Sequence, residues 1–497
     1  MTLLKTPGIP SAGRHSGVLL AGQVILSFLS IIIGSIFILC TVETSSFSTI
    51  ILFAFVTITG LILCKKAQTQ LNDPALSILG YLWLLKLVLT FIILYAGWIP
   101  QLDPSSSSIW GYDPQRYYFQ AQELVDNNWL ADFVSLNYTG VLYYYGVIFY
   151  FFGHNPVVPA LANAFLTLVA TLYLVRVGYE IKQHRAPRDW TLALALLLPE
   201  ILWFDVMTSR ETLLAALLIF ALLTVGRYLL RTTDISSGKI LTIITLSVLA
   251  IAAIRTTMTF PVVIATVLMV LLIGTSRRLH VFRKYSLIFC IVATAIVSPY
   301  VPTLIGGYEV DSAKIFYSAI SANDNIALAG DMSWNENSIG MLLMPDGVIQ
   351  SICFLPPRMV LYLLTPLPKV SFTFSDLMLG RWLAWQGLLT MLSSLINIIL
   401  IPYVLASLIY SVKNRKKDSG PLIFHISYVL VFMAVAGGNL IIQERYRVMA
   451  TPLLWGCAWL GMQAAPKYYV RVAAFSWYAL LAVGATFYFY YKAGMFA

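Results

Sequence analysis

Asp113 is the residue in this chain best placed to do chemistry. It lies in Gly111-Tyr112-Asp113-Pro114, at the head of the polar and aromatic stretch PQRYYFQAQEL. Aspartate is a good helix N-cap and proline suits the first helical position, so a helix is predicted from here to about Asn127. Two roles fit the carboxylate. One is a plain cap. The other is a general base at a membrane surface beside an aromatic cluster, a usual setting for sugar binding. Within the helix, Tyr117, Tyr118, Ala121, Leu124 and Val125 make an apolar stripe predicted to face the membrane, with Gln115, Arg116, Gln122 and Glu123 elsewhere.

Arginines form the second set. Arg210 follows Glu200 and Asp205 in PEILWFDVMTSRET, with Glu211 next to it. Arg255 stands in AIRTTMT, Arg445 and Arg447 in QERYRVMATP, and Arg358 and Arg381 late in a long polar segment. A planar guanidinium with five donors is well matched to phosphate. The same side chains suit ion pairs with Glu211 or Glu444, or anchoring at lipid headgroups. Lys86 is different: it falls near the middle of an apolar run, which is costly unless it is paired or faces a cavity.

The elements that must position these residues are membrane helices. Hydrophobic residues make up 59% of the 497 and charged residues 11%, against about 25% charged in soluble domains. Mean hydropathy is +0.80. Taking about 20 apolar residues per crossing, the predicted spans are 18–41, 48–64, 77–98, 157–179, 190–206, 210–230, 239–254, 257–275, 285–305, 384–411, 421–440, 447–464 and 471–491. This is an all-α polytopic membrane protein of about thirteen helices, read as a single domain over 1–497. Two apolar stretches are assigned to interfacial or re-entrant helices. They are 143–153, which is too short to cross, and 351–364, which Pro356-Pro357 is expected to interrupt.

Charge orients the chain. With that assignment the N-terminus and most Lys and Arg fall on the cytoplasmic side, including Lys65, Lys66, Lys182, Arg185, Arg277, Arg278, Arg415 and Lys416. Making 143–153 a span would invert everything after it, against the positive-inside rule. The net charge of +10 is thus a topology signal and an attraction to anionic membrane lipid, not a sign of nucleic-acid binding. The N-terminal segment before residue 18 reads as a cytoplasmic leader to a retained helix. Two long extracytoplasmic loops remain, 99–156 and 306–383, and they hold Asp113 and the late arginines. The short cytoplasmic loops show no nucleotide-binding pattern, which argues against a primary pump. The five cysteines, Cys40, Cys64, Cys290, Cys353 and Cys457, are scattered without a CxxC pair and read as small buried hydrophobes.

The segment YDPQRYYFQAQEL…SLNYTGVLYYYGVIFYFFGHNPVVPALANAFLTLVATLYLVRVGYEI resembles the membrane-embedded GT-C glycosyltransferases, and ERYRVMATPLL resembles the Arg-Tyr stretch ahead of a late proline in such proteins. They include protein O-mannosyltransferases, aminoarabinose transferases and bacterial surface-polysaccharide enzymes. The resemblance implies an extracytoplasmic loop with a catalytic acid, a short apolar helix ending in Phe-Gly, and a span returning to the cytoplasm: here Asp113, 143–153 and 157–179. It implies sugar transfer from a polyprenyl-phosphate carrier to a glycan, lipid or protein acceptor, in a bacterial inner membrane with the active face outside. Asp113 would be the base. Arg445 and Arg447, with Arg210 and Arg255, would hold the donor phosphate, and Tyr112, Tyr117, Glu211 and Lys86 would contact substrate. No cofactor is expected; a divalent metal stays open but lacks support, since Asp113 has no adjacent acidic partner in the sequence. Two departures stand out: the acidic loop follows the third span rather than the first, and Asp113 lacks the adjacent acidic residue that would support a divalent metal. The long second loop and the late arginines are also like those of O-antigen polymerases. A polymerase or ligase using pyrophosphate-linked oligosaccharides, and a lipid or sugar transporter, remain as alternatives.

Overall fold

The protein is described by a computed structural model over residues 46–71, 74–102, 113–129, 139–182, 191–230, 237–273, 281–301, 348–365, 373–415, 418–437 and 444–492, with isolated positions at 28–38 and at 343. All regular structure among the described residues is helical. Seven helical stretches are long and apolar enough to cross a membrane: Phe47–Leu71, Ile78–Trp98, Val157–Ile181, Arg210–Leu230, Gly238–Leu272, Trp382–Lys413 and Lys467–Phe487. Large apolar side chains such as Phe55, Ile62, Phe475 and Val483 lie exposed along them. Exposed apolar surface on this scale is suited to lipid.

In chain order the helices are α1 (Ser46–Leu71), α2 (Ile78–Ile93), α3 (Asp113–Asp126), α4 (Thr139–Phe152), α5 (Val157–Lys182), α6 (Pro199–Val206), α7 (Arg210–Leu230), α8 (Ser237–Arg255), α9 (Thr259–Leu272), α10 (Val281–Val297), α11 (Val348–Leu364), α12 (Phe374–Met378), α13 (Trp382–Lys413), α14 (Leu422–Gly437), α15 (Glu444–Arg447), α16 (Thr451–Ala464) and α17 (Lys467–Lys492). Several expectations meet their match in this order, and some do not. The stretch 190–206 is not one span. It is a 3-10 segment, Thr191–Leu197, followed by the short α6, because Leu198 is extended and Pro199 can only open a new helix. The expected interruption of 351–364 is absent: α11 runs through both Pro356 and Pro357. The apolar stretch 239–275 divides at Arg255, whose extended backbone ends α8 before a 3-10 turn leads into α9. Expected span 18–41 lies largely outside the described residues, as do Tyr112 and most of 306–347.

The hairpin of α3 and α4 carries Asp113. Beyond the end of α3, Asn128 and Trp129 both take a positive φ (53° and 65°), and the Trp129 N–H donates to the Leu124 carbonyl at 2.8 Å. Such a backbone is strained for tryptophan. The ring offsets this by stacking on Tyr143 of α4, with centroids 6.1 Å apart and planes at 3°. The apolar stripe of α3 therefore meets protein, not lipid: Tyr117, Tyr118, Ala121 and Leu124 are all buried, which corrects the predicted membrane-facing stripe. After α4, Gly153 takes a left-handed φ of 83°. This is the conformation that glycine adopts without cost. It is the physical content of the Phe-Gly ending, since the chain then turns back and Asn155 Oδ1 caps α5 through the Val157 N–H at 2.9 Å.

Elsewhere the helices sit close. A Cβ at Gly461 of α16 would lie 2.1 Å from the Tyr403 carbonyl oxygen of α13, so only glycine allows this approach, as at small-residue interfaces of membrane helices.

Candidate functional site

The site starts from a turn that has to be built without helix hydrogen bonds. Between α6 and α7 the residues Met207, Thr208 and Ser209 are buried and irregular. The Met207 and Ser209 carbonyls find side-chain donors, as buried backbone must. Asn163 Nδ2 donates to the Asp205 and Met207 carbonyls at 3.2 and 2.9 Å. The Tyr145 hydroxyl donates to the Ser209 carbonyl at 2.8 Å. Thr208 Oγ1 donates to the carbonyl of Pro114, in the first turn of α3. Helices α4 and α5 thereby fix the turn, and the turn fixes Asp113 relative to Arg210 and Glu211.

Asp113 accepts one guanidinium on each oxygen. Arg116 Nη2 donates to Oδ1 at 3.1 Å and Arg445 Nη1 to Oδ2 at 2.9 Å. The Asp113 side chain remains about a quarter exposed, at 25%, so the carboxylate is both paired and reachable. Arg445 also donates to the Tyr446 hydroxyl at 2.9 Å and lies 4.8 Å from the centre of that ring. Arg255 approaches the same ring at 5.1 Å, so two guanidiniums share one aromatic side chain. Arg210 pairs with Glu211 (Nε to Oε1, 3.5 Å), both buried. Burial works against the charge on Arg445, but the electrostatic pull of Tyr446, Glu211 and Asp113 outweighs it and raises its pKa above the ordinary arginine value, with Arg210 opposing. Arg445 Nε and Glu211 Oε1 are buried without a hydrogen-bond partner among the described residues.

Among the described residues, four arginines thus gather around two acids, Asp113 and Glu211. The excess is positive, and the rim is partly open. Such an arrangement can hold an anion while keeping a carboxylate beside it.

Of the residues singled out from the sequence, Asp113, Arg445, Arg210, Arg255 and Glu211 come together here. Tyr117 lies at the edge, buried, with the Arg116 guanidinium 5.6 Å from its ring centre. Arg447 does not belong to the anion side. It is 1% exposed, its Nε donates to Glu200 Oε2 at 2.6 Å, and its other nitrogens reach carbonyls and a hydroxyl inside the protein. This corrects its expected role as a phosphate ligand. Lys86 also lies apart from this cluster: its Nζ lies 2.5 Å from Asp205 Oδ2 and donates to the Leu196 carbonyl at 3.1 Å, all fully buried. Arg381 pairs with Asp376 at 2.6 Å on the surface. Arg358 donates to the Ala436 carbonyl at 2.8 Å.

Sequence reasoning named Arg116 and Glu200 without giving either a role, and missed Tyr446. Arg116 had a usable signal, since it stands three residues after Asp113 on one helix face. Tyr446 and Glu200 owe their places to contacts across the fold. No group of three or more His, Cys, Asp or Glu side chains that could hold a metal ion occurs among the described residues. No family model, no curated protein and no solved structure matches the chain.

Proposed function

We propose that the chain is a membrane glycosyltransferase of GT-C type that takes sugar from a polyprenyl-phosphate carrier. The carrying observation is the pairing of the partly exposed carboxylate of Asp113 with Arg445 and Arg116, inside a cluster of excess positive charge. In this reading Asp113 removes the proton of the acceptor hydroxyl as that oxygen attacks the anomeric carbon. Arg445, Arg255 and Arg210 stabilise the phosphate as it leaves with the lipid. The contact from Arg116 holds the Asp113 carboxylate in orientation. A lipid-linked donor enters sideways between helices, so no nucleotide site is required. About thirteen spans, with the N-terminus in the cytoplasm and the cluster at the outer face of a bacterial inner membrane, complete the reading; the acceptor is a glycan, a lipid or a protein.

The test is transfer by the full-length protein in vesicles from a radiolabelled monosaccharide on polyprenyl monophosphate. Asp113→Asn keeps size and capping ability but cannot take a proton near neutral pH, so transfer should fall about 10²–10⁴-fold at unchanged protein level. Normal transfer by that variant removes Asp113 as the base. Transfer only from a pyrophosphate-linked oligosaccharide would replace the reading with a polymerase or ligase. One observation favours a transporter instead: the buried Lys86–Asp205 pair lies in the apolar interior, where ionisable residues often mark transport paths. Movement of a lipid-linked sugar across the bilayer without transfer would support it.

A further inference from the structure

Arg447 gathers acceptors from three separate stretches of chain. Its Nε binds Glu200 at the start of α6. Its Nη1 reaches the carbonyls of Tyr362 (3.1 Å), Leu363 (3.3 Å) and Thr365 at the end of α11, together with Ser394 Oγ (2.8 Å) on α13. Its Nη2 donates to the Thr390 carbonyl at 2.7 Å. A fourth stretch joins through Glu200. Its second carboxylate oxygen accepts from Thr451 Oγ1, at the head of α16, and its backbone N–H donates to Ser393 Oγ at 2.9 Å. The side chains of Arg447, Glu200, Ser393, Ser394 and Thr451 are all buried.

A buried ion pair is a poor device for stability alone, because its desolvation cost offsets much of the attraction, and apolar replacements are often as stable. What this one supplies is geometry. Arg447 is two residues from Arg445, in the same short helix α15. Arg445 makes the 2.9 Å contact to Asp113. From Glu200, α6 runs to the turn in which Thr208 holds the Pro114 carbonyl. Both routes from the pair end in the first turn of α3.

We propose that Glu200 and Arg447 form a positioning clamp, which touches no substrate and holds α15 so that Arg445 meets Asp113. Its relevance to catalysis rests on the proposed reading of the Asp113 cluster; its structural claim does not. A lysine at position 447 would keep the charge opposite Glu200, but a single ammonium cannot serve acceptors spread around a planar guanidinium.

Hydrogen exchange on the purified full-length protein tests the clamp without any donor. Arg447→Lys should raise exchange in the 113–118 segment by about tenfold, a coupling within the range expected for one contact network. The 467–480 segment of α17 should stay as in the wild type. In an Arg445→Ala background, Arg447→Lys should add little at 113–118, because the connection has already been cut. Glu200→Gln keeps the size and the Thr451 bond, and should show the same pattern more weakly. It also serves if Arg447→Lys does not accumulate. Unchanged exchange at 113–118 in both single variants overturns the clamp, as do effects that add in full in the double variant. Where the wild type transfers sugar, Arg447→Lys should lower kcat about tenfold with little change in KM, since a small misplacement of a catalytic contact acts on the chemical step. Absence of transfer by the wild type would sink the proposed activity while the exchange result still judges the clamp.

Discussion

Lys86–Asp205 and Asp113–Arg445 are both ion pairs joining distant parts of the chain, yet they are built to opposite specifications. The first is closed. One cation meets one anion, both fully buried, and the second Asp205 oxygen accepts from Thr167 at 2.8 Å. The second is open: both partners keep a fifth to a quarter of their side-chain surface, and the surrounding charge is unbalanced in favour of arginine. A one-to-one pair in an apolar interior leaves no capacity for a ligand. A partly exposed carboxylate held beside several guanidiniums has that capacity.

The largest expected effect that sharpens this contrast is at Asp113. Asp113→Asn should leave the protein in the membrane at wild-type level and reduce sugar transfer about 10²–10⁴-fold, while Asp205→Asn should act on stability. Next comes the closed pair. Lys86→Met strands a buried carboxylate and should destabilise the fold by about 3–5 kcal/mol, whereas Lys86→Met combined with Asp205→Leu should recover most of that loss. Thermal denaturation in detergent reads both. If the double variant is no more stable than the single, Lys86 and Asp205 do not act as a self-contained pair, and the transporter reading gains.

Arg445→Lys should come third. It keeps one charge but gives up the geometry shared by Asp113 and Tyr446, so transfer should fall by about tenfold or more, with loss concentrated in kcat. Equal and mild losses at Arg445, Arg255 and Arg381 would return these arginines to headgroup anchors. The smallest effects belong to the surface pair of Arg381 and Asp376, 2.6 Å apart with Arg381 mostly exposed. Arg381→Ala should leave transfer close to wild type. Hydrogen bonds from Thr373 and the nearby Arg381 hold the Asp376 carboxyl below its ordinary pKa. The folded-state pKa is depressed, so this support for α12 is complete above the ordinary carboxylate range and is lost as pH falls through the lower folded value. Hydrogen exchange at 373–378 during acidification reads the loss.

Much of the architecture was legible because apolar length and turn chemistry are local properties. The short helix closing at Phe152-Gly153 appears as α4, and Gly153 has the positive φ that such an ending needs. The run from residue 157 appears as α5, and Asp113-Pro114 does open a helix. The break at Leu198-Pro199 was signalled by the proline but lost within an apolar run of full span length. The unbroken course of α11 through Pro356 and Pro357 defied the local rule.

Sequence by itself determined that this chain is helical and rich in membrane-crossing length, and which few charged residues needed an explanation. It did so because an apolar run must satisfy its own backbone hydrogen bonds and each charge within it stands out by cost. Only the tertiary structure decided the partners. Arg445 and Arg447 are alike in type, two positions apart and equally plausible as phosphate ligands from their spacing. One reaches outward across 332 residues to Asp113, and the other turns inward across 247 residues to Glu200. Adjacent side chains on a short helix point in different directions, and which direction meets solvent and which meets the interior is set by α6, α11 and α13, not by the residues that carry the charge.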